Sequence, residues 1–158
     1  MALRNIVKQG DPILRKKCKP VTAVDDHVRD ILDDMTETLR NAEGIGLAGP
    51  QVGIMRRIVV IELEGQHLDL INPEIIAKEG DQYEAEACLS VPGLCGMVHR
   101  PEKVVVRALD RNGEPVEHIG TGLLARAFCH ELDHLDGVLY TDISDDVFNP
   151  DEEAEEDK

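Results

Sequence analysis

TGLLARAFCHELDHLDG, residues 121–137, decides how this chain is read. Leu124, Ala127, Phe128 and Leu135 recur at helical spacing, Thr121 can cap the start and Gly137 the end. On such a helix His130 and His134 share one face, so both imidazoles can reach one metal ion, with Glu131 beside its bound water. A catalytic metal of this kind takes three protein ligands and keeps one position open. The third ligand has to come from elsewhere in the chain.

Downstream offers little. The longer metallopeptidase pattern HExxHxxGxxH fits through Gly137, but Tyr140 stands at its last position, and no His or Cys follows His134. The acids beyond, such as Glu152 and Glu153, lie in the tail, and a ligand has to be held in place. Upstream, His27, His67, His99 and His118 read as surface or packing residues. Cys88, in EACLSVPG (86–93), sits where a strand end runs into a Pro-Gly turn. A thiolate with two imidazoles is a good ligand set for a divalent metal, whereas a lone Cys88 reads equally well as a small buried hydrophobe.

Around this helix the chain alternates short strands and turns. Residues 25–42 place Val28, Ile31, Leu32, Met35 and Leu39 at helical spacing behind acidic residues, which predicts an N-terminal amphipathic helix stopped at Gly44. RRIVVIEL (56–63) and HLDLINP (67–73) read as a hairpin ended by Pro73, and QYEAEACLSV (82–91) as another strand. KVVVRAL (103–109) and VEHIG (116–120) form a second hairpin with Asn112-Gly113 in the turn, and VLYTDI (138–143) reads as a last short strand. The expected fold is α+β, with mostly antiparallel strands packed around a central metal-binding HExxH helix.

A chain of 158 residues with 42% hydrophobic content fits one globular domain, placed at 1–144. Residues 145–158 hold eight acids and one lysine, −7 of the formal −15, and read as a solvated, disordered extension. That balance argues against gripping phosphate backbones, so no direct nucleic-acid binding is expected. No run approaches transmembrane length and the start lacks a signal-peptide core, so a cytoplasmic protein without membrane contact is expected. Cys18, Cys88, Cys95 and Cys129 include no CxxC pair, so any metal-binding cysteine acts singly.

A third segment, GIGLAGPQVG (44–53), crowds four glycines and a proline into a loop that lets backbone come close to something. GIGLAGPQ, EACLS and HELDH, in that order, resemble the three motifs of the peptide deformylase family, GIGLAAPQ, EGCLS and QHExDH. The resemblance spans residues 5 to 143 and implies an enzyme that removes the formyl group from N-terminal formyl-methionine of nascent polypeptides. It implies Cys88, His130 and His134 as metal ligands, Glu131 as general base and acid, and Gln51 with the Leu89 backbone N–H as oxyanion hole. Gly46, following Ile45, would bring its backbone to the formyl end. Ile45, Leu123, Ala127 and the stem of Arg126 would take the methionine side chain, with Glu86 at the border. Fe(2+) is the expected metal, with Zn(2+), Ni(2+) or Co(2+) able to substitute, and a monomer is expected. Gly49, Ala87, Cys95 and Cys129 depart from the common pattern, and none of them deletes a ligand, Glu131 or Gln51. A broader metallohydrolase and a non-catalytic metal-holding relative stand as the alternatives.

Overall fold

The computed structural model describes residues 2–151. In chain order the main elements are α1 (Asp26–Ala42), β1 (Gly46–Ala48), β2 (Ile58–Leu63), β3 (Gln66–Glu79), β4 (Gln82–Cys88), β5 (Val91–Arg100), β6 (Lys103–Leu109), β7 (Pro115–Thr121), α2 (Gly122–Leu135), α3 (Tyr140–Ile143) and β8 (Asp146–Phe148). The strands build two sheets, one in the order β1-β2-β3-β6-β7 and one in the order β4-β5-β8. Every pairing within them is antiparallel.

Strand β2 shows why the layers stack as they do. Its run Ile58-Val59-Val60-Ile61 is apolar at every position, the pattern of a strand covered on both faces. Val59 and Ile61 pack with Ala125, Phe128 and Leu135 of α2. Ile58 and Val60 pack with Ile31, Leu32, Met35 and Leu39 of α1. The two helices therefore clamp opposite faces of the larger sheet. The smaller sheet closes a third cluster, Cys88, Val91 and Val98 under Leu139 and Tyr140.

Several local expectations change. Pro73 does not end its strand: β3 runs to Glu79, and its register shifts between Ile71 and Glu74. Asn72 takes a left-handed φ of 52°, and its side chain holds both the N–H and the carbonyl of Val21. Pro73 thus falls in an irregularity where its missing N–H costs the ladder nothing. The Pro-Gly pair expected to turn the chain lies inside β5, and the turn falls at Leu89-Ser90 instead. Thr121 makes no side-chain cap, and the Gly122 N–H donates to the Glu102 carbonyl. VLYTDI supplies the short helix α3 rather than a strand, since the Asp142 carboxylate accepts the Leu139 N–H and curls the segment. The acidic stretch from 145 begins as β8, paired with Cys95–Met97, and residues 152–158 lie outside the described residues.

Candidate metal centre

Three elements meet at one point. Strand β4 ends on Cys88, beyond an irregularity that opposes Glu86 to Gly96 but Cys88 to Val91. Such a bulge re-aims the side chains that follow it. Helix α2 presents His130, Glu131 and His134 on the facing side. A 3₁₀ turn over Gly49–Val52 presents Gln51. Donor atoms of Cys88, His130 and His134 all lie within 4.8 Å of one another, with Cys88 Sγ 3.3 Å from His134 Nε2.

The surroundings fit a cation at that point. His130 Nδ1 lies 2.9 Å from Glu86 Oε1, which leaves Nε2 for the cluster. A carboxylate behind an imidazole is how metal-binding histidines are commonly oriented. Burial works against a charge on His130, yet hydrogen bonds to Cys88 and Glu86, together with the charge of Glu131, push it up to about 10. The Glu86 carboxylate thus backs the imidazole that faces the point where a metal ion would sit. His134 is drawn down to about 3 by burial and by the charges of His130 and Arg100, so its imidazole is neutral and free to ligate. Glu131 is almost fully buried, and that burial pushes it up to about 7. Among the described residues, Glu131 Oε2 and His134 Nδ1 are buried without a hydrogen-bond partner.

Polar supports fix the rest. Gln51 is buried, and its Oε1 accepts the Ala48 N–H at 3.0 Å. That bond turns Nε2 toward Ser90 Oγ (3.1 Å) and Cys88 Sγ (3.6 Å). Glu86 is gripped by Arg100 through two bonds, Nε to Oε2 at 2.9 Å and Nη2 to Oε1 at 3.0 Å. Burial pulls Glu86 up, but His130 and Arg100 outweigh it and hold the carboxyl down at about 2. Arg100 also reaches Asp133 Oδ2 at 2.7 Å.

A cavity of about 370 Å³ opens beside the cluster. Ile45, Gly46, Gln51, Glu86, Cys88 and Leu89 line one part of it, and Leu123, Arg126, Ala127, His130 and Glu131 line another. His134 lies behind this lining, fully buried. Glu86 borders the cavity with its carboxylate already committed to Arg100 and His130. Sequence reasoning passed over Ser90, Arg100 and Asp133. Arg100 did carry a signal: Gly96, Val98 and Arg100 alternate on the buried face of β5.

The pattern shared by polypeptide deformylases matches residues 3–148. The chain belongs to the polypeptide deformylase family. It is 57% identical to the peptide deformylase of Caldanaerobacter subterraneus subsp. tengcongensis over 90% of this chain and 89% of that one. The crystal structure of the Thermotoga maritima peptide deformylase superposes with a TM-score of 0.88 at 38% identity, covering 90% of this chain and 97% of that one. The Synechococcus elongatus enzyme, solved in complex with actinonin, gives 0.87 at 43% identity, covering 89% and 80%.

The departures from the common deformylase motifs have definite surroundings. Ala87 lies in β4, and its φ is not in the left-handed region, so its methyl brings no backbone strain. The Cys129 thiol is buried, and burial pushes it up to about 11, which leaves it un-ionised and unreactive at neutral pH. Gly49 is closely enclosed by backbone. A Cβ there would meet the Ile54 carbonyl oxygen at 2.6 Å and that of Arg56 at 2.7 Å. Gly49→Ala, which restores the common deformylase residue, is expected to destabilise this chain by about 1–3 kcal/mol. It is also expected to lower turnover by displacing Gln51, and thermal unfolding with a parallel formate-release assay measures both. Gly46 is a close-approach glycine too: its Cβ would lie 2.8 Å from Glu131 Cγ.

Proposed function

We propose that this cavity removes the formyl group from the N-terminal formyl-methionine of nascent polypeptides, releasing formate. One divalent metal ion would be held by Cys88, His130 and His134, with α2 as the central metal-binding helix. Such an ion lowers the pKa of a water and polarises the carbonyl under attack. Ferrous iron is the expected ion, and zinc, nickel or cobalt fit the same soft and borderline donor set.

The protein's own groups do the rest. Glu131 takes a proton from the attacking water and returns it to the leaving nitrogen as the formyl C–N bond breaks. The charge that gathers on the formyl oxygen is met by the Gln51 side-chain N–H and the Leu89 backbone N–H. Gly46 lets β1 lie close to Glu131 and to the formyl end of the substrate. Ile45, Leu123, Ala127 and the stem of Arg126 take the methionine side chain, with Glu86 at the border. Residues 1–144 would form the catalytic unit, acting as a monomer without nucleic-acid contact, and the acidic stretch from 145 would extend from it.

The observation that carries this reading is the buried Glu131 carboxylate, with one oxygen unpartnered, beside a Cys-His-His donor set on the wall of a cavity. A general base needs such a place, and a binding site does not. The test is formate release from a short formyl-methionyl peptide by protein loaded anaerobically with ferrous iron. Release from the formyl peptide and none of acetate from its acetyl counterpart is expected. Intact formyl peptide with metal bound would overturn the reading.

A further inference from the structure

The segment ahead of α1 touches both stretches of chain that carry the oxyanion donors. The Val7 N–H donates to the Gln51 carbonyl at 2.7 Å, and the Gln9 N–H donates to the Ser90 carbonyl at 2.8 Å. Between them, Lys8 Nζ lies 3.4 Å from the Leu89 carbonyl oxygen. We propose that residues 7–9 are a positioning strap that sets the gap between the Gln51 side-chain N–H and the Leu89 backbone N–H. The proposal rests on the deformylase reading, in which those two groups meet the charge on the formyl oxygen.

Each donor stretch leaves carbonyls for the strap. In the 3₁₀ turn over Gly49–Val52 the Gly49 carbonyl accepts the Ile54 N–H and the Pro50 carbonyl the Gly53 N–H, both from within the loop. The Gln51 carbonyl takes its bond from Val7 instead. Leu89 and Ser90 form the turn between β4 and β5, where Lys8 and Gln9 take up their two carbonyls. Ser90 Oγ in turn lies 3.1 Å from Gln51 Nε2. The contacts close a ring that runs from Val7 to Gln51, on to Ser90 and back to Gln9. Gln51 and Ser90 are 39 positions apart in the chain, whereas the Val7 and Gln9 nitrogens can lie no more than about 7 Å apart.

The strap is tied down on either side of residues 7–9. Ahead of them, the Ala2 N–H donates to Asp34 Oδ1 at 2.7 Å, the Arg4 N–H to Thr38 Oγ1 at 2.9 Å and Arg4 Nε to Asp34 Oδ2 at 3.1 Å, all on α1. Behind them, Asp11 Oδ1 accepts the Ile13 N–H, Leu14 is buried, and the Cys18 N–H donates to the Leu135 carbonyl at the end of α2. A chain tied to α1 on one side and to α2 on the other has little slack between. Its N–H groups at 7 and 9 are therefore fixed points for the carbonyls they hold. None of the three strap residues lines the cavity, so they act through Gln51 and Leu89.

The test replaces one backbone N–H at a time by an ester oxygen, which keeps every side chain. Cys18 supplies the junction: a synthetic segment 1–17 joined to residues 18–158 by thioester ligation gives the full chain with its native thiol. We expect the iron-loaded Val7 and Gln9 esters each to lose about 10–100-fold in kcat on formyl-Met-Ala-Ala, the scale of a small misplacement in a site. KM should stay unchanged, the pattern of an interaction made only in the transition state. Metal affinity, read by chelator competition, should match that of the all-amide chain, because the strap's bonds end on Gln51, Leu89 and Ser90 rather than on a ligand. The Leu14 ester removes an N–H bound to the Asp11 carbonyl inside the adjacent turn and should keep full kcat. Full kcat in either strap ester, a loss that appears in KM, a loss of metal affinity, or an equal loss in the Leu14 ester overturns the proposal. An all-amide chain that releases no formate, or a Gln51→Leu variant that turns over at the all-amide rate, overturns the reading beneath the proposal and the proposal with it.

Discussion

Glu131→Ala protein is expected to lose turnover of formyl-methionyl peptides by about 10²–10⁴-fold, the contribution usual for a positioned acid-base group. It should keep its metal, because Glu131 lies outside the Cys88, His130, His134 donor set. Formate release and atomic absorption on the same samples check both halves, and turnover at the wild-type rate would sink the mechanism. The isosteric Glu131→Gln variant separates chemistry from folding. Burial pushes Glu131 up to about 7, against about 4.3 in an unfolded chain. Between those values the folded metal-free protein holds a proton that the unfolded chain releases. Its contribution to stability is therefore complete below about 4.3 and is lost as pH rises to about 7. Glu131→Gln should erase that slope and unfold no earlier than wild type at pH 8, where wild type buries a charge. Melting curves of metal-free protein across this window measure the difference.

The same burial explains what could be read from the sequence. An IVVI run and a hairpin turn on Asn112-Gly113 are local signals, and β2, β6 and β7 lie where those signals put them. Strand β5 was lost because Pro92 and Gly93 look like a turn. They sit instead inside the irregularity that re-aims Cys88, between the Val91 and Gly96 pairings with β4, and only the pairing on either side of them reveals the strand. The first motif announced close approach through its glycines, but not the partner. The side chain filling the space beside Gly46 is Glu131, from a helix far along the chain. The candidate site residues came from motif order, whereas their supports did not. Ser90 and Asp133 are ordinary polar residues until the fold brings Gln51 to one and Arg100 to the other. A tertiary hydrogen bond leaves no periodic trace in a sequence.

Arg100 is where that unseen layer should matter most. Arg100→Met is expected to destabilise the fold by about 3–5 kcal/mol, the range for removing one partner of a buried ion pair. The side chains of Arg100 and Glu86 are only 6% and 5% exposed. Without the guanidinium, Glu86 keeps His130 alone against the burial that pulls its carboxyl up. Because pairing holds Glu86 down at about 2, its stabilising contribution is present above the ordinary carboxylate range and is lost as pH falls toward 2. Arg100→Lys should recover little, since an ammonium cannot span both Glu86 oxygens and Asp133 as the planar fork does. The effect should reach the metal as well, because Glu86 orients His130, and losing such a support commonly costs about 10–100-fold in affinity. Arg107→Met supplies the contrast: its partner is the exposed Glu117, so little change in stability is expected. Denaturant unfolding at pH 7 with chelator competition for the metal tests this. If Arg100→Met and Arg107→Met proved equally mild, the buried pair would be neither a structural support nor a support for the metal centre.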